Sequence, residues 1–474
     1  QSKLLFFVFF FLFCGLFISK NHDDFSYYHF PYTYYISQHS LIFGVGQFGH
    51  GFRTPSSIFY LNSLFFLPFA KFYLLNISYL LVLGFANIIL INKILSNFKK
   101  KIFNNYNFFI NFISLLSLLF VNIFFYRLSE YGTDRSAQIL VIILIIELLS
   151  LNFLYKIKQT NLIYIYILSA LVVSIKAFFI LYIIFIIPLF YIIYKSKKNI
   201  IKTFIFLSFN KYSLMFTLSL CFVLFSNFTN TGCFLYPVSF SCVENLSWSI
   251  PKEQVIMMNN HYEIWSKAGA GPNFRVEDPN NYISDFNWVP NWVNEYFFNK
   301  VSDLLFGLIF LIIIVFFIFR INVFKKGNYH INTYYKLIYA VLLIIFIEWF
   351  VNHPALRYGG YCVILMLLLI PLALKITNHK LGFEKFYNYS IILIFLSFLI
   401  FNGRNISRVI NEVKQYNYNP VKYSFYKLNK SDFRVEKKMS EFLTTYYHCK
   451  NEDVKCDKSK LKVKNKFGKL IFIK

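Results

Sequence analysis

The sequence contains eleven runs of mostly apolar residues, and this pattern limits the possible fold more than any other feature. Each run is close to the length that a helix needs to cross the hydrocarbon core of a bilayer. With 57% hydrophobic and only 15% charged residues, the 474-residue chain has too little polar surface for a water-soluble protein of this size. The candidate spans are 4–19, 77–92, 107–125, 136–155, 162–175, 178–194, 212–228, 301–320, 335–351, 360–376 and 389–402. We therefore expect an all-α polytopic membrane protein with a bundle of about eleven transmembrane helices.

Two apolar stretches need a separate interpretation. Residues 4–19 are not followed by a small-residue cleavage site, so we expect a retained first span and not a signal peptide. The stretch 56–70 is almost apolar enough for a twelfth span, but counting it as one would invert every later loop. We expect a helix in the membrane interface there.

Basic residues predict the orientation of the chain. With the N-terminus inside, every inside loop is rich in lysine or arginine, as cytoplasmic loops usually are. These residues are Lys93, Lys99, Lys100, Lys101, Lys156, Lys158, Lys195, Lys197, Lys198, Lys202, Lys211, Arg320, Lys325, Lys326, Lys336, Lys375, Lys380 and Lys385. The outside segments are then 20–76, 126–135, 229–300, 352–359 and 403–474. We expect a transmembrane domain over 1–402 with two large periplasmic loops, 20–76 and 229–300, and a small periplasmic tail domain over 403–474, in a bacterial inner membrane.

The formal charge of +26, from 48 basic and 22 acidic residues, could suggest a nucleic-acid partner in a soluble protein. Here most of the excess lies in loops and in a lysine-rich tail, and no nucleic-acid motif accompanies it. We expect membrane lipids and a lipid-linked phosphate as partners, and no nucleic acid.

Four cysteines form two close pairs in outside segments. Cys233 and Cys242 bracket "CFLYPVSFSC", and Cys449 and Cys456 bracket "CKNEDVKC". Both pairs are expected as disulfides in an oxidising periplasm, the alternative being free thiols.

Asp23 and Asp24, in "NHDDFSYYHFPYTYY", follow directly on the first span. A carboxylate beside a low-dielectric boundary tends to have a raised pKa and can act as a base. Adjacent residues cannot face the same way on a helix, so one is expected to point at a site and the other at water or a cation. The plain alternative is a solvated helix end. A divalent metal held by Asp23, Asp24 and a histidine has weak support, because the spacing lacks a known ligand pattern; no cofactor is expected.

Cationic residues stand at three other outside positions: Arg135 in "EYGTDRSAQ", Lys176 between two spans, and His353 with Arg357 in "EWFVNHPALRYGGY". Arginine suits bidentate phosphate contact and is unfavourable at a membrane boundary unless paired. The alternative is structural ion pairs, Arg135 with Asp134 and Arg357 with Glu348. Because topology puts all these groups on one side, they can supply a base together with cations for a phosphate leaving group.

Further candidates lie in the two large outside loops. The glycine-rich "GVGQFGHGFR" could bring backbone N–H groups, with Arg53, close to an anion, although it matches no phosphate-loop pattern. The loop 229–300 carries four tryptophans, which hold sugar rings in some proteins and mark membrane interfaces in others. Tyr28, His29, Arg53 and Trp265 are the candidates for substrate contacts.

These features resemble the GT-C superfamily of integral-membrane glycosyltransferases: an inside N-terminus, an acidic pair after the first span, an aromatic loop helix and a late outer "RY". More closely, "DDFSYYHFPYTYYI", "TGCFLYPVSFSC", "WSKAG" and "HPALRYGGY" are similar to a group of bacterial multi-pass proteins associated with surface-polysaccharide genes. The resemblance spans residues 20 to about 360, and the tail "CKNEDVKC" is similar to the cysteine-containing tail of that group.

The resemblance implies an enzyme that transfers a sugar, with inversion, from a polyprenyl-phosphate donor to a glycan or lipid acceptor on the periplasmic face. By position, Asp23 or Asp24 would be the base and Arg357 would neutralise the departing phosphate. Arg135, Lys176 and His353 are further candidates for the donor phosphate. The group closest in sequence implies a place in cell-envelope polysaccharide assembly more than a specific reaction.

Two other functions stay open. An O-antigen polymerase or ligase is suggested by the large outside loop 229–300, since such enzymes carry a late periplasmic loop. A lipid-linked sugar transporter or flippase is less well supported, because the spans show no internal repeat and little charge apart from Glu147.

Overall fold

The computed structural model describes most of the chain. The described residues are 2–18, 22–70, 73–99, 105–152, 154, 157–271, 274–320, 332–376, 383–417, 419–420, 430–435, 437–441, 443–444, 462–466 and 468–473. Every structural statement below concerns these residues.

The fold is almost entirely helical, as the sequence predicts. In chain order the α-helices are α1 Ser2–Leu12, α2 Phe30–Gln38, α3 Val45–Phe48, α4 Ser57–Leu64, α5 Ile77–Lys99, α6 Asn105–Phe124, α7 Asp134–Leu151, α8 Ile163–Ile175, α9 Ile186–Lys197, α10 Ile200–Ser208, α11 Lys211–Thr231, α12 Lys252–Lys267, α13 Pro279–Ile283, α14 Val289–Trp292, α15 Ser302–Phe319, α16 Thr333–Asn352, α17 Gly360–Ile376 and α18 Phe383–Tyr416. Short 3₁₀ helices cover Phe13–Phe17, His50–Phe52, Leu128–Glu130, Gln159–Leu162, Ala177–Phe185, Ser239–Ser241, Leu356–Tyr358 and Lys430–Phe433. Two segments, Phe25–His29 and Val293–Val301, are π-helical, and two strands, β1 Lys462–Lys466 and β2 Lys469–Ile473, end the chain.

Seven described helical segments are long and apolar enough to cross a membrane. They are Ile77–Leu95, Asn107–Phe124, Ala177–Lys197, Lys211–Thr231, Val289–Phe319, Thr333–Asn352 and Glu384–Tyr416. Three shorter apolar helices are Ser2–Phe17, Gln159–Ile175 and Gly360–Ile376. The protein is therefore an all-α, multi-pass membrane protein. These ten segments and α7 coincide with the eleven predicted runs, but the count of eleven spans stays a prediction.

The centre of the bundle is formed by α6 and α7. In α7 every residue except Arg135, Glu147 and Ser150 is buried, and 83% of the Asn107–Phe124 segment of α6 is buried. A helix that is apolar on all sides can be covered by neighbours all round, and α7 packs against α5, α6, α8 and α17. The first residue of α7, Asp134, thus lies in the middle of one end of the bundle.

Segments that are distant in sequence meet at that same end. The backbone N–H of His22 donates to the Ser129 carbonyl at 3.2 Å. The Gln47 side chain donates to the Ser249 carbonyl at 2.7 Å, and the Trp292 indole N–H donates to the Pro354 carbonyl at 2.9 Å. The charge pattern assigns all these segments to one side of the membrane, so their contacts agree with that assignment.

The stretch 56–70 contains one short helix. The Ser56 hydroxyl caps α4 by accepting from the Ile58 N–H, and it also donates to the Ile175 carbonyl at 2.5 Å. The eight residues of α4 are too few to cross a bilayer. Because Ile175 precedes Lys176, α4 also anchors the turn that carries this lysine.

The described part of the tail folds back onto the first loop. β1 and β2 pair antiparallel, with Val463 opposite Phe472. The Phe43 N–H donates to the Leu470 carbonyl at 3.0 Å, and the Phe472 N–H donates to the Phe43 carbonyl at 2.8 Å. The boundary predicted at residue 402 falls inside α18, which continues to Tyr416.

Candidate functional site

Asp24 and Arg357, 333 positions apart, form an ion pair. The Arg357 Nη2 atom lies 2.6 Å from the Asp24 Oδ2 atom. Asp24 immediately precedes the π-helical turn Phe25–His29, and its backbone carbonyl accepts the N–H groups of Tyr27 and Tyr28. Its own N–H donates to the Nδ1 atom of His22 at 3.0 Å. The turn therefore fixes the direction in which the Asp24 carboxylate points.

Arg357 is positioned by a short turn between α16 and α17. Gly359 has a φ of +107°, a conformation that side-chain-bearing residues rarely adopt, and this lets the turn reverse into α17. The Gln138 side chain, one turn into α7, donates to the Arg357 carbonyl at 3.2 Å and accepts the N–H of Cys362 at 3.2 Å. Gln138 thus holds both ends of the arginine turn against the central helix.

Asp134 is the second carboxylate of the site and the most buried, with 4% of its side chain exposed. Its Oδ2 atom accepts from the Nε atom of Arg357 at 2.7 Å, and its Oδ1 atom pairs with the ammonium of Lys176. Lys176 occupies the extended break between α8 and the 3₁₀ helix Ala177–Phe185. Two carboxylates and two cations thus form one cluster, here called the charge cluster: Asp24, Asp134, Lys176 and Arg357.

Attraction to the cations keeps the two carboxylates of the charge cluster ionised despite their burial. Burial by itself would raise the pKa of Asp24, but the Arg357 guanidinium and then His22 outweigh it and hold that pKa below its ordinary value. Burial would likewise raise the pKa of Asp134, but Lys176 and Arg357 together outweigh it and keep that pKa far below its ordinary range. The raised pKa expected for a carboxylate at this boundary is therefore wrong for Asp24, because its cationic partner contributes more than burial.

The two cations of the charge cluster, Lys176 and Arg357, respond differently to burial. Burial lowers the pKa of Lys176, and Asp134 offsets only part of this effect. Burial also opposes the charge of Arg357, but Asp134 and then Asp24 raise the pKa of its guanidinium well above the ordinary value. The guanidinium is thus a permanent cation on which two carboxylates converge, and a phosphate oxyanion could take the place of one of them.

Aromatic rings line the charge cluster. The Arg357 guanidinium lies over the rings of Trp265 at 5.2 Å and Tyr358 at 5.8 Å, and the Lys176 ammonium lies over Tyr358 at 4.5 Å. The Tyr28 hydroxyl is 3.5 Å from the Asp24 carboxylate. Trp265 and Tyr28, both predicted as substrate contacts, therefore lie at the cluster and remain partly exposed.

Two histidines, His22 and His29, flank Asp24 in the chain. His29 is 2% exposed, and neither of its ring nitrogens has a hydrogen-bond partner among the described residues. Its ring contacts those of Tyr28 and Phe59, and Gly132, with a φ of +51°, leaves it room, since a Cβ there would stand 2.5 Å from the imidazole. Burial, with a smaller contribution from His22, lowers the pKa of His29 to about 3. His29 is thus a neutral packing residue that supports Asp24.

The other predicted residues lie in different surroundings. Asp23 is exposed to solvent, so of the adjacent pair it is Asp24 that points inward. His353 packs against the rings of Phe178 and Tyr358, at the edge of the charge cluster. Arg53 donates to the Gly46 carbonyl at 3.0 Å and to the Tyr236 hydroxyl at 3.3 Å, and neither residue belongs to the charge cluster.

Arg135 does not join Arg357. Its Nη1 atom lies 3.7 Å from the Glu130 carboxylate, on a different side of α7 from Asp134. The structural pair suggested for Arg135 with Asp134 therefore forms with Glu130 instead. The pair suggested for Arg357 with Glu348 is likewise wrong, because Arg357 pairs with Asp24 and Asp134. Sequence reasoning named Asp134 only as a partner of Arg135 and missed its central place; a carboxylate just before a long apolar run was the available signal.

The long loop 229–300 contains a disulfide between Cys233 and Cys242, the first of the two expected pairs. Cys449 and Cys456 lie outside the described residues. Among the described residues, no group of three or more His, Cys, Asp and Glu side chains is placed to hold a metal ion.

A sequence-family model described as a domain of unknown function (DUF8201) matches residues 1–364. The match covers most of the chain. The chain belongs to the DUF8201 family. It matches no curated protein and no solved structure.

The DUF8201 match contains all four residues of the charge cluster, from Asp24 to Arg357, together with Trp265 and the disulfide loop. The later helices, from within α17 onwards, and the tail strands lie beyond the matched region. The charge cluster thus belongs to the part of the chain that defines its family membership.

Proposed function

We propose that the protein is a membrane glycosyltransferase of the GT-C type, acting in cell-envelope polysaccharide or glycolipid assembly. It transfers a sugar, with inversion, from a polyprenyl-phosphate donor to a glycan or lipid acceptor. The active face is the periplasmic side of a bacterial inner membrane, in agreement with the distribution of lysine and arginine along the chain.

One observation carries the proposal: the first-loop carboxylate and the late-loop arginine, far apart in sequence, are in direct contact. Displacement at a sugar carbon needs one base for the acceptor hydroxyl and cations for the phosphate that leaves. The charge cluster supplies Asp24 for the first role and Arg357 with Lys176 for the second. Asp134 touches both cations and keeps them at the correct separation as a positioning residue.

The ion pair between Asp24 and Arg357 suggests how the site is loaded. A donor phosphate that takes the place of Asp24 on the Nη2 atom of Arg357 leaves the carboxylate without its main cationic partner. The pKa of Asp24 then rises, because burial no longer has the same opposing attraction. Donor binding thereby makes Asp24 a stronger base at the moment when an acceptor has to be deprotonated.

In the transfer step the acceptor hydroxyl attacks the anomeric carbon and gives its proton to the Asp24 carboxylate. The bond between the anomeric carbon and the phosphate oxygen breaks, and its electron pair leaves with the phosphate. Arg357 and Lys176 neutralise that charge in a partly desolvated site, where such contacts are stronger than in water. The partly exposed faces of Trp265 and Tyr358 offer an apolar platform for the sugar ring.

The exposure of the two acids supports Asp24 over Asp23 as the base. Asp23 faces solvent, whereas Asp24 lies on Arg357 and near the Tyr28 hydroxyl. We therefore assign Asp24 as the base and give Asp23 no direct part in the reaction.

The adjacent acids provide a matched test. The gene is deleted in its host and replaced by the wild type, by Asp24→Asn or by Asp23→Asn, and lipid-linked sugars and envelope glycans are quantified by mass spectrometry. Deletion and Asp24→Asn are expected to remove a glycan product and to raise the pool of its lipid-linked donor. Asp23→Asn is expected to restore the wild-type pattern, since its carboxylate touches no cluster residue.

Size-exclusion profiles of the purified variants show whether each is folded. Wild-type glycans in the Asp24→Asn strain, with folded protein present, would contradict the proposal. A change in polymer length alone, with unchanged sugar composition, would favour the polymerase function over simple transfer.

A further inference from the structure

A second group of charged residues lies next to the charge cluster and has no part in the proposed reaction. The Glu130 carboxylate lies 2.7 Å from the Nη2 atom of Arg408, 3.3 Å from the Nη1 atom of Arg127 and 3.7 Å from the Nη1 atom of Arg135. The Glu130 and Arg408 side chains are each 13% exposed. A single carboxylate is therefore surrounded by three guanidinium groups.

A fourth arginine extends this group towards the membrane. Arg404 stacks on the ring of Tyr126 at 3.7 Å and donates to the Ile123 carbonyl at 2.6 Å. The Tyr126 hydroxyl accepts from the Nε atom of Arg127 at 2.9 Å. We call Arg127, Arg135, Arg404 and Arg408 the arginine cluster.

The arginine cluster carries more positive charge than its carboxylates balance. Glu130 and Glu412, which pairs with Arg408 at 3.2 Å, are its acidic contacts among the described residues. Within the described part of the chain, four guanidinium groups against two carboxylates leave a surplus of two positive charges. Two guanidinium nitrogens, the Nη1 atoms of Arg135 and Arg408, are buried and make no hydrogen bond within the described part of the chain. Buried donors without partners are uncommon in folded proteins.

The position of the arginine cluster corresponds to the edge of a bilayer. Arg127 follows the end of the candidate span Asn107–Phe124, and Arg404 and Arg408 lie in the second half of the candidate span Glu384–Tyr416. On α18 the exposed side chains just before Arg404 are apolar, among them Leu399 and Ile400. An arginine beside such an exposed apolar surface can reach phosphate headgroups.

We propose that the arginine cluster binds a phosphate monoester at the membrane surface, as a site separate from the charge cluster. Guanidinium groups match the oxygens of phosphate in a bidentate way. A monoester carries close to two negative charges at pH 7, which equals the surplus, whereas a diester carries one. The partly exposed Arg127 and the exposed Arg404 make the first contact. The Nη1 atoms of Arg135 and Arg408, which make no hydrogen bond within the described part of the chain, supply further donors once the side chains adjust.

The phosphate has two possible sources, a lipid headgroup and a water-soluble phosphate. The test uses the purified full-length protein, freed of lipid, and short-chain phosphatidic acid, phosphatidylglycerol and phosphatidylcholine as probes, with binding read by native mass spectrometry. The wild type is expected to bind them in that order of decreasing affinity. In the double variant Arg127→Gln with Arg404→Gln, affinity for phosphatidic acid is expected to fall at least about tenfold, because two charge-assisted contacts are removed.

Lys252→Gln is the matched control, since it removes an exposed cation that is paired with exposed Glu244; it is expected to leave binding unchanged. Competition by inorganic phosphate at low millimolar concentration would identify a water-soluble phosphate as the ligand, and its absence would identify the lipid headgroup. Equal binding of all three lipids by the wild type, or equal affinity for phosphatidic acid in the double variant and the control, would overturn the proposal. Both variants are exposed substitutions, and size-exclusion chromatography confirms their folding.

Discussion

His29 is the residue whose chemistry departs most from what its position in the sequence suggests. It follows the acidic pair by a few residues and was a candidate for substrate contact, yet it is 2% exposed and lies against Tyr28 and Phe59. Its neutral ring supports the π-helical turn that presents Asp24. The environment of a histidine, and not its distance from a catalytic residue, decides whether it can exchange protons.

The buried, neutral His29 predicts a pH dependence of stability. Its pKa is about 3 in the folded protein and 6.5 when exposed, so its stabilising contribution is complete above pH 6.5. As the pH falls from 6.5 towards 3 the unfolded state takes up a proton that the folded state does not, and stability falls by about 1.4 kcal/mol for each pH unit. In His29→Leu the unfolding free energy should change less steeply with pH than in the wild type, by about 1.4 kcal/mol per pH unit between pH 6 and pH 4.

The slope is the readout, because the substitution also changes packing. His261→Leu, at an exposed histidine, is the control and should keep the wild-type slope. Equal slopes for His29→Leu and the wild type would mean that His29 is protonated in the folded protein.

At the scale of elements, the first loop depends on the last strand of the chain. β2 pairs its backbone with Phe43, and the fully buried Phe472 ring lies 6.0 Å from that of Phe48. The first loop carries Asp24, so the tail supports the segment that builds the site. An isolated two-stranded hairpin is marginally stable, and β1 and β2 need this contact in return.

Phe472→Ala should release this contact. Removing a buried phenyl ring costs about 3–5 kcal/mol, which is enough to detach so small an element. Hydrogen exchange followed by mass spectrometry should then show faster exchange of the Phe43 amide, which donates to the Leu470 carbonyl of β2, while peptides from α7 keep their protection. Exposed Lys469→Ala is the control; if it accelerated exchange equally, the tail would not be held by the buried ring.

At the scale of the whole molecule, the charge cluster joins four segments that are separate in the chain. Asp134 belongs to the central helix, Lys176 to the break after α8, Arg357 to the turn before α17, and Asp24 to the first loop. The charge cluster is therefore the candidate site, and its ion pairs also hold these four segments together at one end of the bundle.

Asp134→Asn should destabilise the protein as a whole. The substitution leaves Lys176 and Arg357, whose side chains are 21% and 28% exposed, without the buried carboxylate that they share. Losing one member of a buried ion pair costs about 3–5 kcal/mol, and the partial exposure of the cations puts the expected loss near the lower bound, about 3 kcal/mol. Thermal unfolding in detergent should show a clear fall in the midpoint, with Asp23→Asn unchanged. A midpoint equal to that of the wild type would show that the cluster does not fasten the bundle.

Several parts of this arrangement could be predicted from the sequence. The apolar runs fix the helical, multi-pass class, since a bilayer accepts few alternatives to apolar helices. Because the lysine-rich loops are assigned to the inside, the first loop, the segment before α7 and the Arg357 turn are all assigned to the outside. These three segments do meet. Asp24 and Arg357 were both candidates on that ground.

Other features could not be predicted, because they depend on distances between side chains. Arg135 and Asp134 are neighbours in sequence, but helix geometry turns them to different sides of α7, and only packing decides that one joins Arg357 and the other Glu130. The choice between Asp23 and Asp24 follows from the π-helical turn, which sequence patterns did not indicate.

The order of residues along the chain is enough to predict that the protein lies in a membrane and at which end of the bundle its polar residues gather, because hydrophobic transfer and loop charge depend on local composition. Which charges meet follows from the packing of the helices. Ion pairs form over a few ångströms between segments hundreds of residues apart, so the charge cluster, the separate arginine cluster and the buried neutral His29 exist only after the helices have packed.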